Sequence, residues 1–134
     1  MPVWSEVGSL VILIVVMVFY FLSALTNPGY ITNSNIDFQD MLNVIESTQL
    51  CPDCHTIRTT RSRHCSICGH CIERFDHHCP WINNCVGLKN HNYFLGYIVT
   101  QGVLLLYVMV LIIYAIVEIA QMSDDKMSHK FAFY

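Results

Sequence analysis

The sequence predicts a mainly α-helical membrane protein: two transmembrane helices flank a small, irregular, two-zinc cysteine-rich domain with short β-hairpins. Three observations lead to this fold class. The 134 residues are 54% hydrophobic and only 13% charged, against about 25% charged in ordinary soluble domains. The apolar residues concentrate in two blocks, residues 7–25 and 94–117. All seven cysteines lie between the blocks, from position 51 to position 85.

The first apolar block, residues 7–25, contains no charged side chain. As an α-helix it would measure about 28 Å, close to the roughly 30 Å of a bilayer's hydrocarbon core. A secretory signal peptide is the alternative, but no lysine or arginine precedes the block, and no convincing small-residue cleavage site follows it. We therefore predict a first transmembrane helix within residues 1–26.

The second apolar block, residues 94–117, is also uncharged and would form about 36 Å of helix. Gln101 and Gly102 interrupt it without forbidding a span, and Glu118 and Gln121 mark its exit. A buried helix of a soluble domain is the alternative. We predict a second transmembrane helix within residues 94–120, followed by a tail at 121–134.

Two spans would place the middle of the chain on one side of the membrane and both ends on the other. Five of the seven lysines and arginines lie in that middle part, which the positive-inside rule assigns to the cytosol. The reducing cytosol also suits free thiolates, whereas seven cysteines in a secreted segment would form disulfides with one left over. The net charge of -3 indicates no acidic or basic partner.

Residues 27–50 are predicted to be a juxtamembrane linker. Pro28 and Gly29 follow the first block directly and would stop its helix. A modest amphipathic pattern predicts a short helix around residues 37–46. Its apolar face would lie either on the membrane surface or on the neighbouring domain.

The segment 51–93 carries the pattern Cys-x2-Cys-x9-His-x6-Cys twice, interleaved and offset by 14 residues. The first copy consists of Cys51, Cys54, His64 and Cys71, and the second of Cys65, Cys68, His78 and Cys85. Three cysteines and one histidine suit tetrahedral zinc, and Cys-x2-Cys is a common zinc knuckle. The repeat therefore predicts two structural zinc sites, which would stabilise a segment too short for a large core. A zinc-ribbon partition is the alternative, with one ion on Cys51, Cys54, Cys65 and Cys68.

Cys79 belongs to neither copy of the repeat. It follows Asp76, His77 and the predicted ligand His78. A free cysteine near a free histidine and a carboxylate has the parts for nucleophilic catalysis, with the imidazole as base and the carboxylate orienting it. The alternatives are structural: Cys79 as a small buried apolar residue, His77 as a turn cap, and Asp76 as a partner of a zinc-bound histidine.

The segment from Cys51 to Phe94 resembles the cysteine-rich domain of the DHHC protein S-acyltransferases, the palmitoyltransferases. The resemblance rests on combined motifs: Cys51-x2-Cys54, Arg61-Ser62-x-His64-Cys65, Cys68, Cys71, Asp76-His77-His78-Cys79-Pro80-Trp81, Asn83-Asn84-Cys85-Val86-Gly87, Asn90 and Phe94. It implies a ping-pong reaction in which Cys79 takes the acyl group of palmitoyl-CoA and passes it to a cysteine of a membrane-apposed substrate protein. It also implies His77 as the base, Asp76 as its orienting carboxylate, and both zinc ions as structural.

The surroundings of this motif add further expectations. Arg58, Arg61 and Arg63 would face the phosphates of CoA or, equally, anionic lipid headgroups. Aromatic side chains lie where an interfacial belt is expected: Trp81, Tyr93, Phe94 and Tyr97. The resemblance implies as partners the bilayer, acyl-CoA and substrate proteins with an accessible cysteine. It also implies an endomembrane location, in Golgi or endoplasmic reticulum, with no nucleic-acid partner.

The resemblance covers only part of the family's layout. That layout usually has four spans, with Asp-Pro-Gly after the second, whereas here Asn27-Pro28-Gly29 follows the first visible span. We therefore expect a fragment or a shortened form, without a fourth span or a Thr-Thr-x-Glu motif. Two other functions compete with the enzyme. One is a catalytically incomplete membrane zinc-domain adaptor. The other is a zinc finger that binds nucleic acid or ubiquitin-conjugating enzymes, against which the two spans and the lack of a strongly basic face argue.

Overall fold

The computed structural model describes residues 3–32 and 50–131, with side chains at 5–32 and 50–123. Two long helices frame the chain: α1, Val3–Leu25, and α2, His91–Phe131. Each includes a stretch long and apolar enough to cross a membrane, Ser5–Leu25 and His91–Ser123. Only 11% and 0% of their most apolar windows are buried, whereas the core helix of a soluble domain is mostly buried. The predicted fold class is confirmed.

Helix α1 ends at Leu25, where the sequence predicted a stop. The side-chain oxygen of Asn27 accepts hydrogen bonds from the N–H groups of Gly29 and Tyr30, at 2.8 and 2.9 Å. Gly29 has a φ of 110°, a conformation that glycine adopts without steric cost. The short helix predicted around residues 37–46, and most of the 27–50 linker, lie outside the described residues. Helix α2 continues through Gln101 and Gly102 without a break.

The described residues between the helices form three two-stranded antiparallel hairpins. Their strands are β1 Leu50–Cys51 with β2 Thr56–Ile57, β3 Arg63–Cys65 with β4 His70–Ile72, and β5 His77–Cys79 with β6 Asn84–Val86. The hairpins repeat one geometry every 14 residues. Cys51 pairs with Thr56, Cys65 with His70 and Cys79 with Asn84.

The turns of the hairpins repeat with the same spacing. In each turn the residue directly before the second strand lies in the left-handed region. These residues are His55, Gly69 and Asn83, with φ of 52°, 68° and 48°. Cys79 therefore occupies in the third hairpin the place that Cys51 and Cys65 occupy in the first two. Ile82, 2% exposed, takes the place of the second knuckle cysteine.

The contacts divide the chain into two compact units. In the unit that combines the start of α1 with α2 from Val99 onward, the Tyr107 hydroxyl donates to the Ser5 carbonyl at 2.9 Å. The other unit lies within Met17–Ile98 and holds the three hairpins. There the rings of Tyr20 and Tyr97 meet edge to face, with centroids 5.6 Å apart.

The segment after α1 pairs with the edge of β4. The Glu73 N–H donates to the Gly29 carbonyl and the Ile31 N–H to the Cys71 carbonyl, both at 2.8 Å. Gly87 lies against this junction, and a Cβ at that position would be 2.5 Å from both Ile72 Cγ2 and the Pro28 carbonyl oxygen. Backbone pairing and close approach together join the cysteine-rich domain to the end of the first span.

Candidate functional site

The first of two Cys/His clusters joins Cys51, Cys54, His64 and Cys71, whose donor atoms all lie within 4.8 Å of one another. The first hairpin supplies Cys51 and the turn residue Cys54. Strands β3 and β4 supply the other two, because His64 lies directly opposite Cys71 in their register. His64 Nδ1 is 3.6 Å from Cys51 Sγ and 3.1 Å from Cys54 Sγ.

The second cluster repeats this arrangement one hairpin later, with Cys65, Cys68, His78 and Cys85 again within 4.8 Å of one another. His78 lies opposite Cys85 in the β5–β6 register. His78 Nδ1 is 3.9 Å from Cys65 Sγ and 3.4 Å from both Cys68 Sγ and Cys85 Sγ. Adjacent residues of a strand point to opposite faces, so His64 and Cys65 enter different clusters. The structure thus brings the eight residues together in the repeat partition and not in the zinc-ribbon partition.

The geometry of both clusters fits a zinc ion. Zinc bonds of about 2.3 Å to sulfur and 2.0–2.1 Å to nitrogen separate tetrahedral donors by about 3.5 to 3.8 Å. The measured separations of 3.1 to 3.9 Å bracket that range. Three thiolates and one imidazole are also the soft donor set that favours zinc over calcium or magnesium. The two clusters could therefore each hold one zinc ion.

The thiols of each cluster differ in their ionisation. Burial opposes ionisation of Cys51, yet the Cys54 N–H and the Cys71 thiol lower its pKa to about 6. Burial, followed by the hydrogen bond with Cys51, raises the pKa of Cys71 to about 12. In the second cluster the pKa of Cys65 is lowered despite burial, and burial and Cys68 raise that of Cys85. Three neighbouring thiols resist joint ionisation, so a bound cation would have to displace protons.

Cys79 is buried beside the end of the first span. Strand alternation places Cys79 and His77 on one face of β5 and the cluster residue His78 on the other. The Cys79 side chain is 4% exposed and belongs to an apolar cluster with Ile82 and Val86. Residues of both helices pack against this cluster: Tyr20, Ala24, Phe94 and Tyr97. The one cysteine outside the metal clusters therefore faces apolar and aromatic side chains.

Asp76 and His77 lie side by side at the start of β5. The His77 Nδ1 is 3.5 Å from Asp76 Oδ2, and the His77 ring meets the Phe94 ring edge to face, with centroids 5.3 Å apart. Among the described residues, the ion pairs of Asp76 are with His77 and His91, and neither belongs to a metal cluster. A second histidine, His91 in the first turn of α2, places its Nε2 4.0 Å from the same carboxylate oxygen. No sequence spacing indicated His91, because only the folded chain brings α2 to β5.

The three arginines predicted to bind CoA phosphates lie in different places. Arg61 lines a cavity of about 290 Å³ together with Arg74, Asp76 and His91. Arg58 instead donates a hydrogen bond to Cys51, and Arg63 lies exposed on β3. Arg74 was not predicted. It precedes Asp76 by two residues, and its φ of 47° turns the chain between β4 and β5.

These elements define a membrane-associated cysteine-rich domain with two metal clusters and one buried cysteine outside them. Sequence comparison assigns the chain to a protein family. The sequence model of the DHHC palmitoyltransferase family matches residues 44–134. Since that match covers more than half of the chain, the protein belongs to the DHHC palmitoyltransferase family.

Individual relatives agree with this assignment. The chain is 43% identical to palmitoyltransferase ZDHHC4 of Bos taurus over 96 residues, covering 66% of this chain and 27% of that protein. It is 48% identical to palmitoyltransferase ZDHHC9 of Homo sapiens over 66 residues, or 49% of this chain and 18% of that one. It is 55% identical to palmitoyltransferase Hip14 of Drosophila melanogaster over 53 residues, or 40% and 8%. The chain thus spans less than a third of the length of these relatives.

Proposed function

We propose that the chain carries the acyl-transfer centre of a protein S-palmitoyltransferase, an acyltransferase in which Cys79 is the acylated residue. The observation that carries this proposal is the position of Cys79. It lies outside both clusters, on the strand face that it shares with His77, and His77 is backed by Asp76 at 3.5 Å. Family membership supports the reaction class.

In the first step the Cys79 sulfur attacks the thioester carbonyl carbon of palmitoyl-CoA. His77 takes the thiol proton, and Asp76 orients the ring and stabilises the imidazolium that forms. A carbon–sulfur bond to Cys79 forms, the bond to the CoA sulfur breaks, and the leaving CoA thiolate receives the proton that His77 had taken, so that His77 is neutral again. Burial of Cys79 among apolar side chains keeps water from the acyl-enzyme.

In the second step a cysteine of a membrane-apposed substrate protein attacks the acyl group on Cys79. The incoming thiol gives its proton to His77, the substrate thioester forms, and Cys79 leaves as a thiolate that is reprotonated. Zinc, when bound, supplies structural support: each cluster would fix one hairpin and the residue pairs that place His77 and Cys79.

The surroundings of the centre support further parts of the proposal. The cavity lined by Arg61 and Arg74 has the charge to receive CoA phosphates near Asp76. Arg58 and Arg63 would add to the field around it. The domain would face the cytosol of an endomembrane, Golgi or endoplasmic reticulum, where acyl-CoA and substrate proteins with accessible cysteines are its partners.

The test is self-acylation of the zinc-loaded chain in lipid vesicles. With labelled palmitoyl-CoA, the wild type should acquire a hydroxylamine-sensitive label, and Cys79→Ser should lose it while keeping two zinc ions. Ser66→Ala, at an exposed position of another hairpin, is the matched control and should label normally. Equal labelling of wild type and Cys79→Ser would refute the proposal. Zinc-loaded wild type without any label would instead point to the adaptor, which no contact among the described residues favours.

A further inference from the structure

We propose that Asn84 is a positioning residue for Cys79. Its side-chain amide caps the carboxyl end of α1 and so fixes the hairpin that carries Cys79 to the end of the first span. The role in acyl transfer rests on the proposed function. The positioning itself rests on contacts among residues of the unit within Met17–Ile98.

Asn84 is only 8% exposed, and both polar atoms of its side-chain amide form hydrogen bonds within the protein. Its Nδ2 donates to the carbonyl oxygens of Ala24 and Thr26, both at 3.0 Å, and reaches that of Ser23 at 3.5 Å. Its Oδ1 accepts a hydrogen bond from the Cys85 N–H at 2.9 Å. One side chain thereby links the end of α1 to a strand about sixty positions later in the chain.

The end of α1 needs such donors. The last four carbonyl groups of an α-helix have no partner within the helix, and the last turn of α1 has no basic side chain. Pro28 follows closely and has no N–H to donate. The glycine cap common at helix ends is absent here, since Asn27 folds back on Gly29 and Tyr30 instead. Asn84 therefore supplies hydrogen bonds that the local sequence does not.

The position of Asn84 couples this cap to the nucleophile. Asn84 lies directly opposite Cys79 in the β5–β6 register. Ala24 contacts both residues of this pair's surroundings: its carbonyl accepts a hydrogen bond from Asn84, and its side chain packs against the cluster that contains Cys79. Loss of the amide would remove the hydrogen bonds to the Ala24 and Thr26 carbonyls and shift the depth of the Cys79 sulfur relative to the span.

Asn90 likewise forms hydrogen bonds between its side-chain amide and backbone groups, at a position after β6. Its Nδ2 donates to the carbonyls of Ser23 at 3.1 Å and Cys85 at 2.8 Å, and its Oδ1 accepts from the Gly87 N–H at 2.9 Å. It therefore joins the end of α1 to Cys85 of β6 and to the loop that follows, whereas Asn84 lies directly opposite Cys79.

The experiment compares Asn84→Asp and Asn84→Ala with Asn83→Asp in the zinc-loaded chain in lipid vesicles. Asn83 is the neighbouring, exposed asparagine and provides the same chemical change outside the link. One readout is the ratio of Cys79 alkylation rates with a charged, water-soluble maleimide and with an apolar maleimide. The other is single-turnover acylation over a range of palmitoyl-CoA concentrations.

Both Asn84 variants should raise the alkylation ratio toward the water-soluble reagent by about tenfold, since small misplacements of a reacting group have effects of this order or more. The maximal acylation rate should fall by at least about tenfold, with the half-saturating palmitoyl-CoA concentration within about twofold of wild type. Asn83→Asp should match the wild type in both readouts. A change in Asn84→Asp alone would reveal an effect of the added charge and overturn the proposal.

A wild-type alkylation ratio in both zinc-loaded Asn84 variants would also overturn the proposal. If a variant loses zinc, Asn84→Ser replaces it, because its hydroxyl can still donate to one carbonyl, and it should show an intermediate ratio. Alkylation reports the position of Cys79 without acyl transfer. A wild type that alkylates normally but never acylates would therefore refute the proposed function and leave the positioning role to be decided by the alkylation ratio.

Discussion

At the scale of single residues, the two histidines beside Asp76 should differ in how strongly their replacement lowers the acylation rate. His77 shares a strand face with Cys79, while His91 lies at the start of α2 with its Nε2 4.0 Å from the carboxylate. His77→Gln should lower the single-turnover acylation rate by about 100-fold or more, the usual contribution of a general base. His91→Gln should lower it by less than about tenfold, because the His77–Asp76 contact remains. Equal losses in the two variants would contradict this division.

Gly87 leads to a second prediction at the scale of single residues, based on the lack of room for a side chain at this position. A Cβ there would lie 2.5 Å from Ile72 Cγ2 and from the Pro28 carbonyl oxygen, and both neighbours are buried. Gly87→Ala should therefore destabilise the domain by about 1–3 kcal/mol, the usual cost of overpacking. Thermal unfolding followed by zinc release measures it. Gly102→Ala is the control, since a Cβ there meets nothing within 4 Å, and a loss of the same size in that variant would refute the steric explanation.

The residues that the sequence could predict are those with a local spacing. The repeat grouped the eight cluster residues correctly because both copies keep the same offset of 14 positions. Asp76, His77 and Cys79 stood out because they are neighbours. Asn84 and His91 have partners from other elements, with Asn84 acting on carbonyls about 60 positions away. Backbone carbonyls carry no signature in the sequence, so these contacts could be found only in the folded chain.

At the scale of elements, the two metal clusters combine thiols of opposite tendency. At neutral pH a thiol with a pKa of about 6, as for Cys51, is largely ionised, while one with a pKa of about 12, as for Cys71, keeps its proton. Burial raises the pKa of Cys54 as well, so zinc binding to the first cluster should release about two protons, and its affinity should fall as the pH is lowered. Calorimetry in two buffers of different ionisation enthalpy measures the release. Identical binding heats in both buffers would contradict it.

The third hairpin allows a prediction about the repeat itself. Since Cys79 and Ile82 occupy the places of Cys65 and Cys68, Ile82→Cys should create a Cys-x2-Cys knuckle that binds zinc or cadmium. Added metal should then inhibit self-acylation of Ile82→Cys reversibly, with recovery after mild chelation, because only the thiolate not held by a metal attacks the thioester. Ile82→Ser, of similar size to cysteine but without a thiol, is the control. Inhibition of the control to the same extent would show that the metal does not act through the new knuckle, and no inhibition of Ile82→Cys would show that the hairpins are not equivalent.

There is a physical reason why the ligand repeat in the sequence did not reveal the third hairpin. Ligand spacing shows only those repeats that keep their ligands, and here one cysteine of the pattern remains while Ile82 fills the other place. The strand pairing Cys79 with Asn84 and the left-handed Asn83 preserve the geometry without the metal. The third hairpin makes apolar contacts through Ile82 where the first two hairpins carry a candidate zinc ligand.

At the scale of the whole molecule, the two spans and the hairpins predict one arrangement in the membrane. Helices α1 and α2 each include a stretch able to cross the bilayer, so both ends of this chain should lie on the side opposite the cysteine-rich domain. Arg58, Arg61, Arg63 and Arg74 lie in that domain, so the positive-inside rule predicts that it faces the cytosol. Under the proposed function, the Cys79 sulfur would then lie at the cytosolic membrane face, the side from which acyl-CoA and substrate proteins would have to reach it.

Protease protection in sealed microsomes tests this arrangement. Trypsin added outside should cleave in the cysteine-rich domain, where Arg58, Arg61, Arg63 and Arg74 are all exposed. Tags fused to each end of the chain should survive until detergent is added. Digestion of either tag in intact microsomes would show that one of the two helices does not span the bilayer. Protection of the domain together with digestion of both tags would show the opposite orientation, and Cys79 would then lie away from cytosolic acyl-CoA.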